Sequence, residues 1–146
     1  MVLKVKTFRE LTAGELYEIL LLRSEAFIVE QGGRYQDLDR IDYRSIHIFY
    51  EEDDGTVSGC LRIFQRENHP GTVQVGRVVA RKRKMGIGTE MMDKAADIAR
   101  ECFGAKNLFL TGRKSAKGFY LKCGYHTVSE ELGGMESPYY EFMRNL

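Results

Sequence analysis

A glycine-bearing turn between a strand-like run and a long helical pattern is the first place where residue type and spacing in this chain imply chemistry. Val73, Val75, Arg77 and Val79 alternate as a strand does. The basic run Arg81-Lys82-Arg83-Lys84 follows, then Met85-Gly86-Ile87-Gly88-Thr89, and a helical pattern begins near Gly86. Glycines at such a junction let a ligand come close to the backbone. The first N–H groups of a helix lack internal partners, and with the helix dipole they form an anion site. The flanking Arg and Lys add charge-assisted contacts. Residues 83–89 are therefore expected to receive a phosphate group. The same turn also reads as a plain helix start with two packing glycines and a solvated charge run.

Two other phosphate motifs do not fit. Lys114-Ser115 looks like the tail of a P-loop, but that motif needs glycine where Arg113 and Leu108 stand. A dinucleotide fingerprint needs a third glycine where Met91 stands. Composition excludes more. Of 146 residues 43% are apolar, enough for a core, and one domain over residues 1–146 is expected. The 22 Lys and Arg against 21 Asp and Glu leave a net charge of +1, a balance that argues against a nucleic-acid binder. The longest apolar runs, Ile19-Leu20-Leu21-Leu22 and Ala26-Phe27-Ile28-Val29, fall far short of the ~20 residues of a membrane span or the ~7–15 of a signal peptide. Cys60, Cys102 and Cys123 form no Cys-x-x-Cys pair, and the histidines are scattered, so no metal site is expected. The cysteines read as small buried hydrophobes. Free thiols without an export signal point to the reducing cytoplasm.

The elements that must position the turn follow from periodicity. Residues 2–7 alternate as a strand. Thr12 and Glu15 form a capping box, and Leu16, Ile19, Leu20, Arg23 and Phe27 continue at helical spacing until Gly32-Gly33. A carboxylate-rich stretch with Asp37, Asp39 and Asp42 comes next. Residues 47–51 and 57–65 read as strands joined by a hairpin at Asp53-Asp54-Gly55. The helix after Gly86 should turn Ile87, Met91, Met92, Ala95, Ile98, Ala99 and Cys102 inward, and Gly104 should end it. Residues 107–110 read as a strand, and Ser115 as the cap of a short helix with Ala116, Phe119, Tyr120 and Cys123 on one face. Residues 125–128 and 139–143 close the set. The expected fold is α/β (α+β), with a mixed sheet and helices in the order β-α-β-β-β-α-β-α-β-β.

Arg83-x-x-Gly86-x-Gly88, after a strand and opening a helix, resembles the acyl-CoA loop of the GNAT N-acetyltransferases. Ala116-x-x-Phe119-Tyr120-x-x-x-Gly124-Tyr125 resembles the later Ala-x-x-Leu/Phe-Tyr-x-x-x-Gly-Phe helix of that family. Leu22-Arg23-x-x-x-Phe27-x-Val29-Glu30-Gln31-x-x-x-Tyr35-Gln36-Asp37-x-Asp39-x-x-Asp42, with Gly76-Arg77-Val78-Val79, is similar to the signature of the ElaA-like branch. The chain departs from the pattern at Lys84, where the family often has glycine, and at Arg113, where many members carry Asn. It departs again at Pro138-Tyr139-Tyr140, where the branch often has Pro-His, and the turn between Val79 and Arg83 is shorter than usual.

The resemblance implies a GNAT-type, mostly antiparallel sheet and transfer of an acetyl group from acetyl-CoA to a primary amine by direct attack in a ternary complex. It places the donor at Val78, Val79, Arg83, Lys84, Met85, Gly86, Ile87, Gly88, Thr89 and Arg113, and implies no metal. The amine must lose a proton, since an ordinary lysine-like amine has a pKa of ~10.4. Glu30 is the first carboxylate to take it, directly or through water, with Asp39 and Asp42 behind; equally, Glu30 reads as a local ion-pair partner and the aspartates as loop residues. Backbone N–H groups where the strand ends at Val78-Val79 would stabilise the thioester oxygen. Tyr120 would be the general acid toward the departing thiolate; with pKa values of ~10 and ~8.5 for a tyrosine and a thiol, full proton transfer is uphill by ~2 kcal/mol. Tyr120 also reads as a core aromatic. Arg77, a charge on an apolar face, should either be exposed at an edge of that face or have a carboxylate partner such as Glu30 or Asp42, and it is expected to orient the acceptor-side loop. A small-molecule or peptide amine is the implied partner, and a homodimer stays open. An acyl-CoA-binding module without turnover is the alternative.

Overall fold

The computed structural model describes residues 1–81 and 86–146. Its strands are β1 (Val2–Thr7), β2 (Ile46–Glu51), β3 (Val57–Gln65), β4 (Thr72–Ala80), β5 (Asn107–Arg113), β6 (His126–Thr127) and β7 (Tyr139–Asn145). The helices are α1 (Ala13–Arg23), α2 (Ile87–Phe103) and α3 (Lys117–Lys122). The chain order is the expected β-α-β-β-β-α-β-α-β-β. The strands form one seven-stranded sheet in the order β1-β2-β3-β4-β5-β7-β6. Among the described residues only β4 and β5 run parallel; the other pairings are antiparallel.

Local signals account for the ends of the elements. Thr12 Oγ1 accepts from the Glu15 amide at 3.1 Å and Glu15 Oε1 accepts from the Thr12 amide at 2.9 Å, the reciprocal cap that starts α1. The same Glu15 takes Lys4 and Lys6 of β1 at 2.9 and 2.8 Å, which ties the helix start to the edge strand. Gly104 ends α2 in the left-handed region at φ 59°, and the Ala105 amide reaches back to the Ala99 carbonyl at 3.0 Å. α1 does not stop at Arg23. It continues as a π-helical stretch, Ser24–Glu30, and just past it the Gln31 amide reaches back five residues to the Ala26 carbonyl at 3.2 Å and the Gly33 amide six to the Phe27 carbonyl at 2.9 Å, with Gly32 on the Ile28 carbonyl between them at 3.1 Å. Such widened turns recur at functional sites.

The sheet separates two cores. Ile48 and Tyr50 of β2, Leu61 and Ile63 of β3, and Leu108 and Leu110 of β5 pack with Ile87, Met91, Met92 and Ala95 of α2. On the other face Phe49, Cys60 and Val79 pack against Ile19, Leu22 and Ala26 under α1. Two expectations are corrected. Cys102 is exposed: a rotation of 100° per residue leaves it on the side of Ala95, but it lies in the last turn of α2, and the buried stripe of that helix ends at Ala99. Ser115 is not the cap of α3: it lies inside a 3-10 turn, Lys114–Ala116, and α3 begins at Lys117 behind Ala116.

Candidate active site

The strand that carries the basic turn is bent where it matters. In β3 and β4, Cys60 pairs with Val79 and Arg62 with Gly76, so Leu61 alone stands opposite both Arg77 and Val78. That is a bulge with one extra residue on β4. It changes the face of everything beyond it. Val73 and Val75 lie in the α2 core, whereas Val79 lies in the α1 core, with Val78 and Ala80 packed on the α2 side. The expected single face for Val73, Val75, Arg77 and Val79 is thereby corrected. Arg77 itself takes the left-handed conformation, φ 53°, which is rare and costly for a residue with a side chain.

β4 also parts from β5. Their pairing covers Thr72 with Asn107, Val73 with Leu108 and Gln74 with Phe109, and ends there, while β4 runs on to Ala80 and β5 to Arg113. From Val75 onward, this edge of β4 has no strand beside it among the described residues. Backbone amides and carbonyls in such a gap want partners. An extended polar chain laid into the cleft would provide them.

At the far end of β4, α2 begins. Gly86 is its N-cap at φ 69°, and no side chain caps the first turn among the described residues. The amides of Ile87, Gly88 and Thr89 thus keep their anion-binding capacity, with a helix of 17 residues behind them. The two glycines have different roles. Gly86 is required by backbone conformation, and a Cβ there would meet open space. Gly88 is closely packed: a Cβ would come within 3.3 Å of the Phe119 ring of α3, which would have to give by a few tenths of an ångström, and 3.5 Å of Ala80. Arg83, Lys84 and Met85 lie outside the described residues.

Tyr120 reaches β5 from α3. Its ring packs edge-on with Phe119 and Tyr125 and against Phe142. A Cβ on Gly112 would sit 2.5 Å from Tyr120 Cε2, so the bare backbone of β5 makes room for that ring. Burial holds the hydroxyl protonated, pushing its pKa up to about 12. Among the described residues it has no hydrogen-bond partner, which leaves its proton for a ligand.

The carboxylates are distributed otherwise than expected. Glu30, at the end of the π-helical stretch, is gripped by both guanidinium nitrogens of Arg81, at 2.9 and 2.5 Å, and is about half exposed. The Arg81 hydrogen bonds lower its pKa from the ordinary value. Arg77 reaches neither Glu30 nor Asp42. Its Nε donates to Asp37 Oδ1 at 2.7 Å and its Nη2 to the Asp37 carbonyl at 3.1 Å, with Asp39 at 3.4 Å. Asp37 and Asp42 share the buried Arg23, at 3.1 and 2.7 Å. Arg62, also buried, clasps Asp39 at 2.8 and 2.7 Å and touches Asp42 at 3.1 Å. Three arginines and three aspartates thus lock residues 37–42 onto α1, β3 and the β4 bulge. Burial works to raise the pKa of Asp39 and Asp42, but the arginines outweigh it; Asp39 ends at about 2 and Asp42 below its ordinary value. Both are weak bases.

Arg113 ends β5, exposed and without an ion-pair or hydrogen-bond partner among the described residues. The Tyr35 ring lies 5.2 Å below the Arg77 guanidinium, so the 33–42 loop packs on the β4 bulge. Arg62 and Glu141 carry charge here without a sequence signal singling them out. Glu141 was readable in principle, as the polar member of the alternating Tyr139, Glu141 and Met143 of β7.

A splayed parallel pair, a bulge just beyond the point where the two strands part, and an uncapped helix start at the strand's end define an acyl-CoA-type transferase fold. The family model for the GNAT acetyltransferases matches residues 15–125, and the chain belongs to that family. It is 30% identical to protein ElaA of Escherichia coli over 125 residues, 83% of this chain and 81% of the relative. A UPF0039 protein of Schizosaccharomyces pombe is 31% identical over 128 residues, 86% of this chain and 84% of its own. The crystal structure of Escherichia coli ElaA superposes with a TM-score of 0.89 at 26% identity, covering 99% of both chains. An acyl-CoA N-acyltransferase from Pseudomonas aeruginosa superposes with a TM-score of 0.87 at 29% identity, again over 99% of both. Acyl transfer from acyl-CoA is the chemistry of this family.

Proposed function

We propose that the protein moves an acetyl group from acetyl-CoA to a primary amine by direct attack in a ternary complex. The observation that carries the reading is the open edge of β4 from Val75 to Ala80, leading straight to the uncapped amides of Ile87, Gly88 and Thr89. The amide-bearing arm of the donor suits the open edge, and its phosphates suit the helix start, where the charges of Arg83 and Lys84 are assigned to them as well. Backbone N–H groups at Val78 and Val79, next to the bulge, are the donors for the thioester oxygen. The amine nitrogen bonds to the acetyl carbon and the carbon–sulfur bond breaks. The proton leaving the amine passes through water to Glu30, and the Tyr120 hydroxyl hydrogen-bonds the departing sulfur. Glu30 works against its pairing with Arg81, so water is needed as the immediate acceptor.

Isothermal titration with acetyl-CoA, beside 3′-dephospho-CoA and ATP, tests the donor site. Micromolar binding of acetyl-CoA, weakened for the dephospho form, is expected. Absence of binding overturns the reading, and binding without thiol release toward any amine leaves a binding module in its place.

A further inference from the structure

The carboxylates that the sequence offers to a cationic acceptor are already engaged. Asp37, Asp39 and Asp42 hold Arg23, Arg62 and Arg77. Glu30 holds Arg81, Glu51 holds Lys4, and Asp53 takes the amino terminus of Met1. Two charges beside the cleft are not engaged in this way. β5 and β7 pair with Thr111 opposite Glu141 and Arg113 opposite Tyr139. Leu108 and Leu110 of β5 and Phe142 of β7 point into the α2 core. Alternation then turns Thr111, Arg113, Tyr139 and Glu141 to the opposite face, the one that carries α1 and the 33–42 loop. Arg113 is exposed and Glu141 half-buried. Neither side chain has an ion pair or hydrogen bond among the described residues. The two are diagonal neighbours, with Cα atoms about 7–8 Å apart.

We propose that the acceptor is an amine carrying its own carboxylate, of the amino-acid class, with Arg113 holding the carboxylate and Glu141 facing the ammonium. The proposal rests on the acyltransferase reading above and names the substrate class of the same site. An unpaired guanidinium offers a planar fork that matches a carboxylate with two hydrogen bonds. An opposite charge one diagonal step away suits the other end of a zwitterion. A polyamine would instead bring a second cation against Arg113, while Asp37, Asp39 and Asp42 of the loop are already taken by arginines. Tyr35, whose ring lies 5.2 Å from the Arg77 guanidinium, supplies an aromatic wall for the body of the acceptor. Arg113 thereby leaves the donor's set, where the family resemblance puts it, and joins the acceptor's. Its face of the sheet supports this, since α2, the helix that receives phosphates, packs on the other face.

The test is steady-state transfer from acetyl-CoA, followed by thiol release, to the twenty proteinogenic amino acids and their decarboxylated counterparts, with the unaltered protein, Arg113→Gln and Glu141→Gln. Carboxylated acceptors should be preferred by tenfold or more in kcat/KM over their decarboxylated partners. Arg113→Gln should raise the KM of the preferred acceptor at least tenfold, erase the preference, and leave the KM for acetyl-CoA within twofold. Glu141→Gln should lower kcat/KM for the same acceptor, again without a change toward acetyl-CoA. Both side chains are unpartnered among the described residues, so both variants should melt with the unaltered protein. Equal or better use of the decarboxylated amines overturns the proposal and leaves acyl transfer standing. So does an Arg113→Gln variant that loses acetyl-CoA affinity and keeps the preference, because Arg113 then belongs to the donor. Binding of acetyl-CoA with no amine acetylated overturns the transferase reading itself.

Discussion

At the scale of single residues, Tyr120 is the group whose environment changes what it can do. From the sequence, full transfer of its proton to a thiolate is uphill by ~2 kcal/mol. Burial among Phe119, Tyr125 and Phe142 pushes its pKa up to about 12, and against a thiol of ~8.5 that difference grows to about 5 kcal/mol. Tyr120 is therefore better suited to hydrogen-bonding the sulfur as charge builds on it than to handing over a free proton. The ring is part of the core, as one reading of this residue has it, and the proposed role concerns a different atom, the hydroxyl oxygen. Tyr120→Phe separates them. The variant keeps the packing and removes a buried hydroxyl without a partner among the described residues, so the melting temperature should hold or rise slightly. A fall in kcat of about a hundredfold or more is expected, the usual size of losing one hydrogen-bond donor to a developing anion, with the KM for acetyl-CoA unchanged. Turnover within threefold of the unaltered protein would show that the hydroxyl takes no part.

At the scale of elements, the order of the seven strands and three helices was legible because each carries its own period and stop signals. Thr12 with Glu15, Asp53-Asp54-Gly55 and Gly104 all act where their types demand. The geometry that makes the site was not legible. A bulge is a property of two strands, and the alternation of β4 taken alone reads straight through Arg77. The splay is likewise a relation between β4 and β5. The arginine–aspartate lattice joins residues 14 to 40 positions apart, beyond any local pattern. Arg77 is where these features meet, since it carries the positive φ of the bulge and its guanidinium holds the 33–42 loop. Two variants divide those contributions. Arg77→Ala loses the contacts to Asp37 and Asp39 and retains a Cβ in the left-handed region. Arg77→Gly loses the contacts and fits the backbone freely. Both should lower stability, Arg77→Gly by about 1 kcal/mol less, as measured by urea unfolding. If the guanidinium positions the loop, both should also raise the acceptor KM, since relief of backbone strain does not restore the grip. A normal acceptor KM in both would mean that Arg77 serves the fold alone.

At the scale of the whole molecule, a net charge of +1 conceals strong internal pairing. The pairing makes stability depend on pH in a definite window. Asp39 is held at about 2 against an ordinary 3.8, because the Arg62 hydrogen bonds and charge overcome the opposing effect of burial. Glu15 is held at about 2 against an ordinary 4.5, because Lys6, the Thr12 amide and Lys4 overcome burial in the same way. A carboxyl group whose folded pKa lies below its unfolded value binds fewer protons when folded. Its contribution is complete above the unfolded pKa and is lost as pH falls through the folded one. Urea midpoints should therefore change little between about pH 7 and pH 5 on account of these groups and fall steadily from about pH 4.5 to pH 2. Asp39→Asn leaves Arg62 with Asp42 as its remaining carboxylate, so the variant should be less stable at neutral pH, by about 1–3 kcal/mol. A protonated Asp39 and the asparagine put in its place are alike in charge. The stability curves of the two proteins should accordingly converge as pH approaches about 2, and parallel curves down to that pH would show that Asp39 draws no stability from its charge.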